Sequence, residues 1–333
     1  MVLFNQKGCR FMTQELIAED GHRIPLYVWA PPEETPVRCV VQITHGMAEH
    51  AGRYTRFARF LNSHGAVVVA HDHRGHGRTL RTMTPGHYGD RNGWQAVCQD
   101  LFQVHQHICE TWPDRPRFLF AHSMGSFIAQ AAIMAHPFSL EGLALSGSNR
   151  EALPRILGAL QIARLERWRQ GRRGKSALIY HLSFGAFNQR FRPARTDHDW
   201  LSSDPDEVDR YLKDPLCGFR CTNETWVQLL KGLSKLFARS GLDAMPRDLP
   251  VLILSGDQDP VGRYGQGPRK LARDLQQAPC GPVTCAFYPA GRHELVNESF
   301  RDRVMQDVAS WLSGLLPETS APEAQMRYTV ALD

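Results

Sequence analysis

The sequence predicts an α/β fold, a mostly parallel sheet with helices on both faces. Two observations carry that prediction. Short runs that are apolar at every position alternate with longer segments of helical period, as expected of strands buried from both sides. These runs are also followed by small or chemically active residues, and open parallel sheets form their sites beyond the strand ends.

In chain order, residues 11–18 and 24–30 flank the turn Asp20-Gly21 and read as a β-hairpin. Residues 31–36 hold three prolines and form a loop, and 39–43 is a buried strand ending in Thr44-His45-Gly46-Met47-Ala48-Glu49-His50. Phe57, Phe60 and Leu61 give 54–63 a helical spacing that stops at His64-Gly65. The strand 66–70 runs into Asp72-His73-Arg74-Gly75-His76-Gly77, and a long helix over 93–112 ends at Pro113.

The central stretch is Arg117-Phe118-Leu119-Phe120-Ala121-His122-Ser123-Met124-Gly125-Ser126. Its apolar half is a short buried strand, and 127–134 can continue as a helix. A serine on a sharp strand-to-helix turn is pushed out beyond the sheet, with the helix N-terminus behind it. Small residues are needed two before and two after it, where the backbones approach. The usual pattern is Gly-x-Ser-x-Gly; here Ala121 takes the first glycine's place.

Leu143-Ala144-Leu145 is a further strand, after which the alternation breaks. The expected organisation is core over 1–147, a helical cap over 148–225, core again over 226–316, and a loose tail over 317–333. A helix near 226–237 leads back to the sheet, followed by a strand over 251–254, a helix over 267–277, a strand over 283–288 and a last helix over 299–315.

A serine hydroxyl needs a base to take its proton and a third group to orient that base. Asp259 and Asp257 both follow the 251–254 strand, and His293 follows the 283–288 strand. The order Ser…Asp…His is that of an elbow hydrolase. Between the two aspartates the spacing leaves the acid open. Glu294 reads as a loop cap or surface charge, and Asp72, Arg74 and His76 as a hydrogen-bonded turn.

Taken together, His45-Gly46-Met47-Ala48-Glu49-His50-Ala51-Gly52-Arg53-Tyr54, Asp72-His73-Arg74-Gly75-His76-Gly77 and the elbow resemble the monoacylglycerol lipase/lysophospholipase branch of the α/β-hydrolase family. The similarity covers about residues 12–315. It implies an α/β-hydrolase fold with an eight-stranded sheet and a helical cap, and acyl-ester substrates such as a monoacylglycerol or a lysophospholipid. It also implies Ser123 as nucleophile, Asp259 as acid, His293 as base, and the backbone N–H groups of Met47 and Met124 as oxyanion hole. No cofactor and no metal are implied. The family's usual residues differ at Ala121 (glycine) and Thr79 (serine), and neither change touches a catalytic group.

Three competing readings follow from other features. His71-x-His73-x-x-His76 is similar to a metallo-hydrolase signature, but Gly75 stands where that signature has aspartate. A binding protein that kept the fold without catalysis would usually lack one triad residue. A proline-iminopeptidase-like enzyme would need cap acids to hold a free amine. Here residues 150–175 carry eight basic residues against two acidic ones.

Leu153, Ile156, Leu157, Leu160 and Ala163 fall at helical spacing beside Arg164, Arg167, Arg169, Arg172, Arg173 and Lys175. That pattern points to peripheral contact with an anionic membrane, with Leu157, Leu160 and Trp168 toward the lipid. A net charge of +5 on 333 residues gives no reason to expect nucleic acid as a partner. No run of about 18 apolar residues exists to span a bilayer, and the first residues lack the apolar core of an export signal. The eight cysteines include no C-x-x-C pair. They read as free thiols, with a cytoplasmic location at most peripheral to the inner membrane.

Overall fold

Among the described residues, five parallel pairings and three antiparallel ones join nine strands into one sheet, of order β1-β2-β3-β5-β4-β6-β7-β8-β9. The computed structural model describes residues 2–4, 10–238 and 240–317. The strands are β1 (Val2–Phe4), β2 (Arg10–Ile17), β3 (Arg23–Ala30), β4 (Cys39–Thr44), β5 (Ala66–His71), β6 (Arg117–His122), β7 (Gly142–Ser146), β8 (Val251–Gly256) and β9 (Val283–Tyr288). The helices are α1 (Thr55–Ser63), α2 (Gly93–Thr111), α3 (Met124–Ala135), α4 (Leu153–Gln170), α5 (Ala177–Tyr180), α6 (Pro205–Lys213), α7 (Asn223–Leu236), α8 (Gln266–Gln276) and α9 (Arg301–Leu315).

The sheet exceeds the eight strands implied by the resemblance because β1 adds antiparallel to β2, Val2 opposite Met12. A three-residue strand carries too few positions to show a period, so nothing in the sequence announces it.

Alternation along the central strands builds two cores. Phe118 and Phe120 of β6 pack with Phe57 and Leu61 of α1 and Val304 and Val308 of α9. Leu119 and Ala121 face the other way, onto Leu101 of α2, Ile128 of α3 and Val227 of α7. Leu252 and Leu254 divide from Val251 and Ile253 in the same manner. Period-two side chains on a doubly covered sheet leave no polar face, which is why these strands read as continuous apolar runs. Strand β9 departs from that pattern, with Thr284 and Cys285 exposed, because it is the sheet's edge.

Between β7 and β8 the described chain is helical and irregular, with α4 packed along α7. Two details differ from the sequence reading. Asp204-Pro205, a dipeptide that by residue type alone favours a turn, instead starts α6. The Asp204 carboxylate accepts from the Asp206 N–H and the proline occupies the first turn, where its missing N–H costs nothing. Helix α7 begins at Asn223, capped by Thr222, so it crosses the expected cap boundary at 225/226. The expected tail 317–333 lies outside the described residues apart from Pro317.

The segment after β5 is pinned by polar contacts. Asp72 accepts from the Ala51 and Arg78 N–H groups (2.9 and 2.7 Å) and from Tyr27 O–H (2.9 Å). Arg74 leaves the turn altogether and forms forked pairs to Asp20 and Asp100, joining the β2–β3 hairpin to α2. His45, His71, His73 and His76 are all buried together, the His45 and His73 rings 4.3 Å apart.

Burial makes each of these rings hard to protonate. It holds His71 at about 3 and His76 at about 4, and His45 well below its usual value. In the unfolded chain each returns to about 6.5. Their neutrality therefore supports the fold fully above about pH 6.5, and that support drains away as pH falls toward the folded values. At pH 5 the loss amounts to roughly 2 kcal/mol each for His71 and His76. His71, with both nitrogens unpartnered among the described residues, is the clearest test. In His71→Leu the fall in Tm between pH 7 and pH 5 should be smaller than in the wild type, as read by circular dichroism. An equal fall would rule His71 out as a source of acid lability.

Candidate active site

The site grows from the end of β6. Ser123 has φ 50° and ψ −121°, a conformation that side chains other than glycine avoid. Its N–H donates to Ser146 O (2.9 Å) at the end of β7, and helix α3 starts at the next residue. Gly125 allows the close approach: a Cβ there would lie 2.5 Å from His45 O and 2.6 Å from Thr44 O. Ala121 needs no such clearance, and its methyl is fully buried between α2, α3 and β7.

Ser123, His293 and Asp259 meet beyond the strand ends. Ser123 Oγ lies 2.8 Å from His293 Nε2, and His293 Nδ1 lies 3.0 Å from Asp259 Oδ2. A carboxylate can only accept, so Nδ1 carries the proton and Nε2 accepts from the serine hydroxyl. Asp259 is completely buried, and its Oδ1 accepts from the Val261 N–H at 2.9 Å. Asp257 lies elsewhere, accepting from the Ala290 N–H (2.9 Å) and the Gln258 amide (3.1 Å). Burial works against charging His293, yet the Asp259 carboxylate outweighs it and lifts the imidazole above its ordinary value. His122, its ring 4.8 Å from His293, stays neutral because burial holds it at about 4.

The loop after β4 faces the same point. The Met47 and Met124 N–H groups have no acceptor among the described residues. For Met124 this follows from its place at the start of α3, where helical N–H groups lack partners. His45 braces the loop: its Nδ1–H donates to Gly46 O (2.8 Å), and its Nε2 accepts from the His73 N–H (3.0 Å).

Glu294 corrects the sequence reading. It is buried, not a surface charge, and takes both arms of the Arg53 guanidinium at 2.6 Å. The partners lie 241 residues apart, so no local signal joins them. Trp200 was also not foreseen. Its ring sits 5.1 Å from His293, with Phe184 and Phe187 behind it. The His293 and Glu294 N–H groups donate to Trp200 O and Leu201 O (3.4 and 2.8 Å), which ties the segment between β7 and β8 to His293.

Neither histidine grouping makes a convincing metal centre. His71, His73 and His76 do not converge their ring nitrogens on one point; their ring-to-ring distances reach 6.3 Å. His50, Asp214 and Cys217 do bring ligand atoms within 4.8 Å of one another. However, His50 Nδ1 accepts from the Gly52 N–H (3.2 Å), which puts the proton on Nε2, where it donates to Asp214 at 2.9 Å. A metal-bound imidazole needs the opposite tautomer. A cavity of about 350 Å³ lies at the start of α8, lined by Arg150, Arg263, Arg269, Lys270 and Arg273, and contains no member of the Ser123–His293–Asp259 group.

A serine on a strand–helix elbow, hydrogen-bonded to a histidine and through it to an aspartate in this chain order, on this sheet, defines an α/β-hydrolase. The family model for Hydrolase_4, described as serine aminopeptidase, S33, matches residues 35–299, and the chain belongs to that family. It is 28% identical to the monoglyceride lipase of Rattus norvegicus, over 90% of this chain and 89% of the relative. It is 29% identical to the monoacylglycerol lipase of Mycolicibacterium smegmatis, over 88% and 93%. Among solved structures, a thermostable carboxyl esterase from Bacillus coagulans in complex with glycerol superposes with a TM-score of 0.84 at 29% identity, covering 92% of this chain and 98% of that one. The chain is thus a carboxylic ester hydrolase of the monoacylglycerol lipase-like branch.

The two aspartates separate in mutagenesis. Asp259→Asn should lower kcat by about 10⁴ through loss of the working His293 tautomer, while Asp257→Asn, whose carboxylate meets the Gln258 amide and the Ala290 N–H but not the imidazole, should leave kcat within about an order of magnitude. A larger loss in Asp257→Asn would reverse the assignment.

Proposed function

We propose that the protein hydrolyses acyl esters of lipids, monoacylglycerol or lysophospholipid, through an acyl-enzyme on Ser123. The observation that carries this is the continuous pair of hydrogen bonds from Ser123 Oγ through His293 to Asp259. His293 Nε2 takes the hydroxyl proton as Oγ adds to the ester carbonyl, and the imidazolium is stabilised by Asp259. The oxygen that becomes negative is met by the Met47 and Met124 N–H groups, which no acceptor among the described residues claims. His293 then hands its proton to the departing alcohol, and water repeats the sequence to release the fatty acid.

The aromatic side chains over His293 supply an apolar approach suited to an acyl chain. The names of the relatives favour lipid esters over peptides. The buried acids of the 148–225 segment, which we assign as the cap, point the same way. Glu166 is taken by Arg169, Glu207 by Arg56 and Arg210, and Glu224 by Arg167, while Asp199 accepts from the Arg195 and Thr196 N–H groups and the Thr196 hydroxyl. None of these four is left to hold a peptide's free amine.

A second element of the proposal is presentation of substrate at an anionic lipid surface. Helix α4 turns Ile156, Leu160 and Ala163 inward, so Leu160, expected toward lipid, belongs to the core. Its outer side leaves Leu157, Leu165 and Trp168 exposed, Trp168 by 82%. Arg164, Arg169, Arg172 and Arg173 are exposed beside them, and Arg167 instead packs toward Glu224. An indole flanked by arginines suits the interface between headgroups and acyl chains. No described helix is long and apolar enough to cross a membrane.

Two experiments test these readings. A fluorophosphonate should label Ser123, Ser123→Ala should lower kcat by on the order of 10⁶, and monoacylglycerols or lysophospholipids should outrun prolyl amides in a side-by-side panel. Amides as the better substrates would reject the lipid reading. For the surface, the combined variant Trp168→Ala/Arg164→Gln should keep turnover of soluble p-nitrophenyl butyrate. It should lose activity on lipid in anionic vesicles at low salt, since each arginine near such a surface contributes about 1 kcal/mol. An unchanged ratio of the two activities would sink the surface proposal.

A further inference from the structure

The mechanism above leaves one buried group of charges unused. Glu49 sits on the loop after β4, Arg53 in the short turn that follows, and Glu294 directly after the base. All three are buried, with side-chain exposures of 4, 10 and 5%. Glu49 Oε1 accepts from the Gly46 N–H at 2.5 Å and from Tyr54 O–H at 2.9 Å, and Oε2 accepts from Arg53 at 2.8 Å. Each of these contacts to Glu49 comes from a donor, the pattern that a carboxylate accepts. Arg53 spends its other contacts on the fork to Glu294, whose Oε2 also accepts from Asn297 at 3.0 Å.

Two consequences follow from this wiring. Gly46 precedes Met47, so the carboxylate that fixes the Gly46 N–H holds the peptide next to the one that carries the Met47 N–H, whose own carbonyl accepts from His45 Nδ1–H. Room there is limited: a Cβ on Gly46 would lie 2.8 Å from Glu49 Oε1. Glu294 adjoins His293, and Arg53 also lies under the Tyr211 ring (4.9 Å), whose hydroxyl donates to Ala48 O. One arginine thus holds the anion-binding loop, the base loop and the segment bearing Tyr211 in a single register. The second consequence is electrostatic. Two carboxylates share one guanidinium, which leaves one negative charge in excess beside an imidazole that must become positive in the transition state.

We propose that Glu49, Arg53 and Glu294 act together as a positioning unit, aligning the Met47 N–H with the Ser123–His293 axis and supplying one uncompensated negative charge that favours the His293 imidazolium. The proposal rests on the reading of Ser123 and His293 as nucleophile and base. The groups facing His293 are Asp259 from the loop after β8, His122 from the end of β6, and Glu49 and Glu294 with Arg53 between them. His122 stays neutral, so the carboxylates and the single guanidinium set the local balance.

The test uses the full chain and p-nitrophenyl butyrate, with kcat and KM measured from pH 5 to 9 and Tm measured in parallel. Glu49→Gln keeps the shape and removes a charge. Its kcat should fall by roughly ten- to a hundredfold, the cost of a small misplacement, with KM little changed. The acid limb of kcat/KM should move toward lower pH, because the imidazolium loses support. Glu294→Gln should move the limb the same way, and it carries that test alone if Glu49→Gln fails to fold. Arg53→Lys keeps the charge but loses the fork, so kcat should drop while the limb stays in place. An unmoved acid limb in both glutamine variants, or losses confined to Tm and folded yield, would overturn the proposal. Failure of Ser123→Ala to abolish activity would instead strike the reading beneath it, so the two failures are distinguishable.

Discussion

The close approach of helix α3 to the end of β4 is the constraint on which the site depends. Gly125 lies against the His45 and Thr44 carbonyls, where a side chain would collide. Ser123 can hold its strained backbone only because strand and helix are locked on either side of it. Such strain costs on the order of 1–3 kcal/mol and persists only where surrounding structure over-determines it. Here the sheet register does so: β6 is flanked by β4 and β7, and Ser123 N–H closes onto the last residue of β7. The same turn leaves the Met124 N–H at the start of α3 without an acceptor among the described residues, next to Ser123.

Around that point the molecule places buried polar groups in pairs that satisfy one another, and the exceptions are informative. Arg74 joins Asp20 and Asp100, Arg53 joins Glu49 and Glu294, and Asp72 gathers three donors. These are costly groups to bury, and breaking one partner leaves an uncompensated charge. They tie loops that follow different strands, which apolar packing alone would leave free to slide. The buried histidines behind the β4 loop are different. They are tolerated neutral, and they link the integrity of that loop to pH through burial and not through any catalytic role.

The segment between β7 and β8 shows how one helix can serve two surfaces. Helix α4 commits Ile156, Leu160, Ala163 and Glu166 to the interior and leaves Leu157, Leu165 and Trp168 outside. Its arginines divide likewise: Arg167 neutralises the buried Glu224, and among the described residues Arg164 has only the Gln161 amide as partner. A count of positive charges in sequence overstates what a lipid surface would meet, because several are already spent on acids inside the fold.

The sequence by itself determined the parallel sheet, because strands buried on both faces must be apolar throughout. It also marked Ser123 and His293, because residue types with few innocent uses followed such strands in a recognisable order. The strained turn was readable too, since Gly125 and Ala121 are the small residues a close backbone crossing demands. What tertiary structure decided was everything that depends on distant partners. Asp259 and Asp257 are equivalent in spacing, and only the loop's path brings Asp259 to the imidazole. Glu294 looked like a surface charge because its guanidinium partner lies 241 residues away. Leu160 and Leu157 share one helical stripe in sequence, yet the crossing of α4 over α7 buries the first and exposes the second. Local period and residue type are carried by the chain itself, whereas the choice among equivalent side chains is made by which elements fold back to meet them.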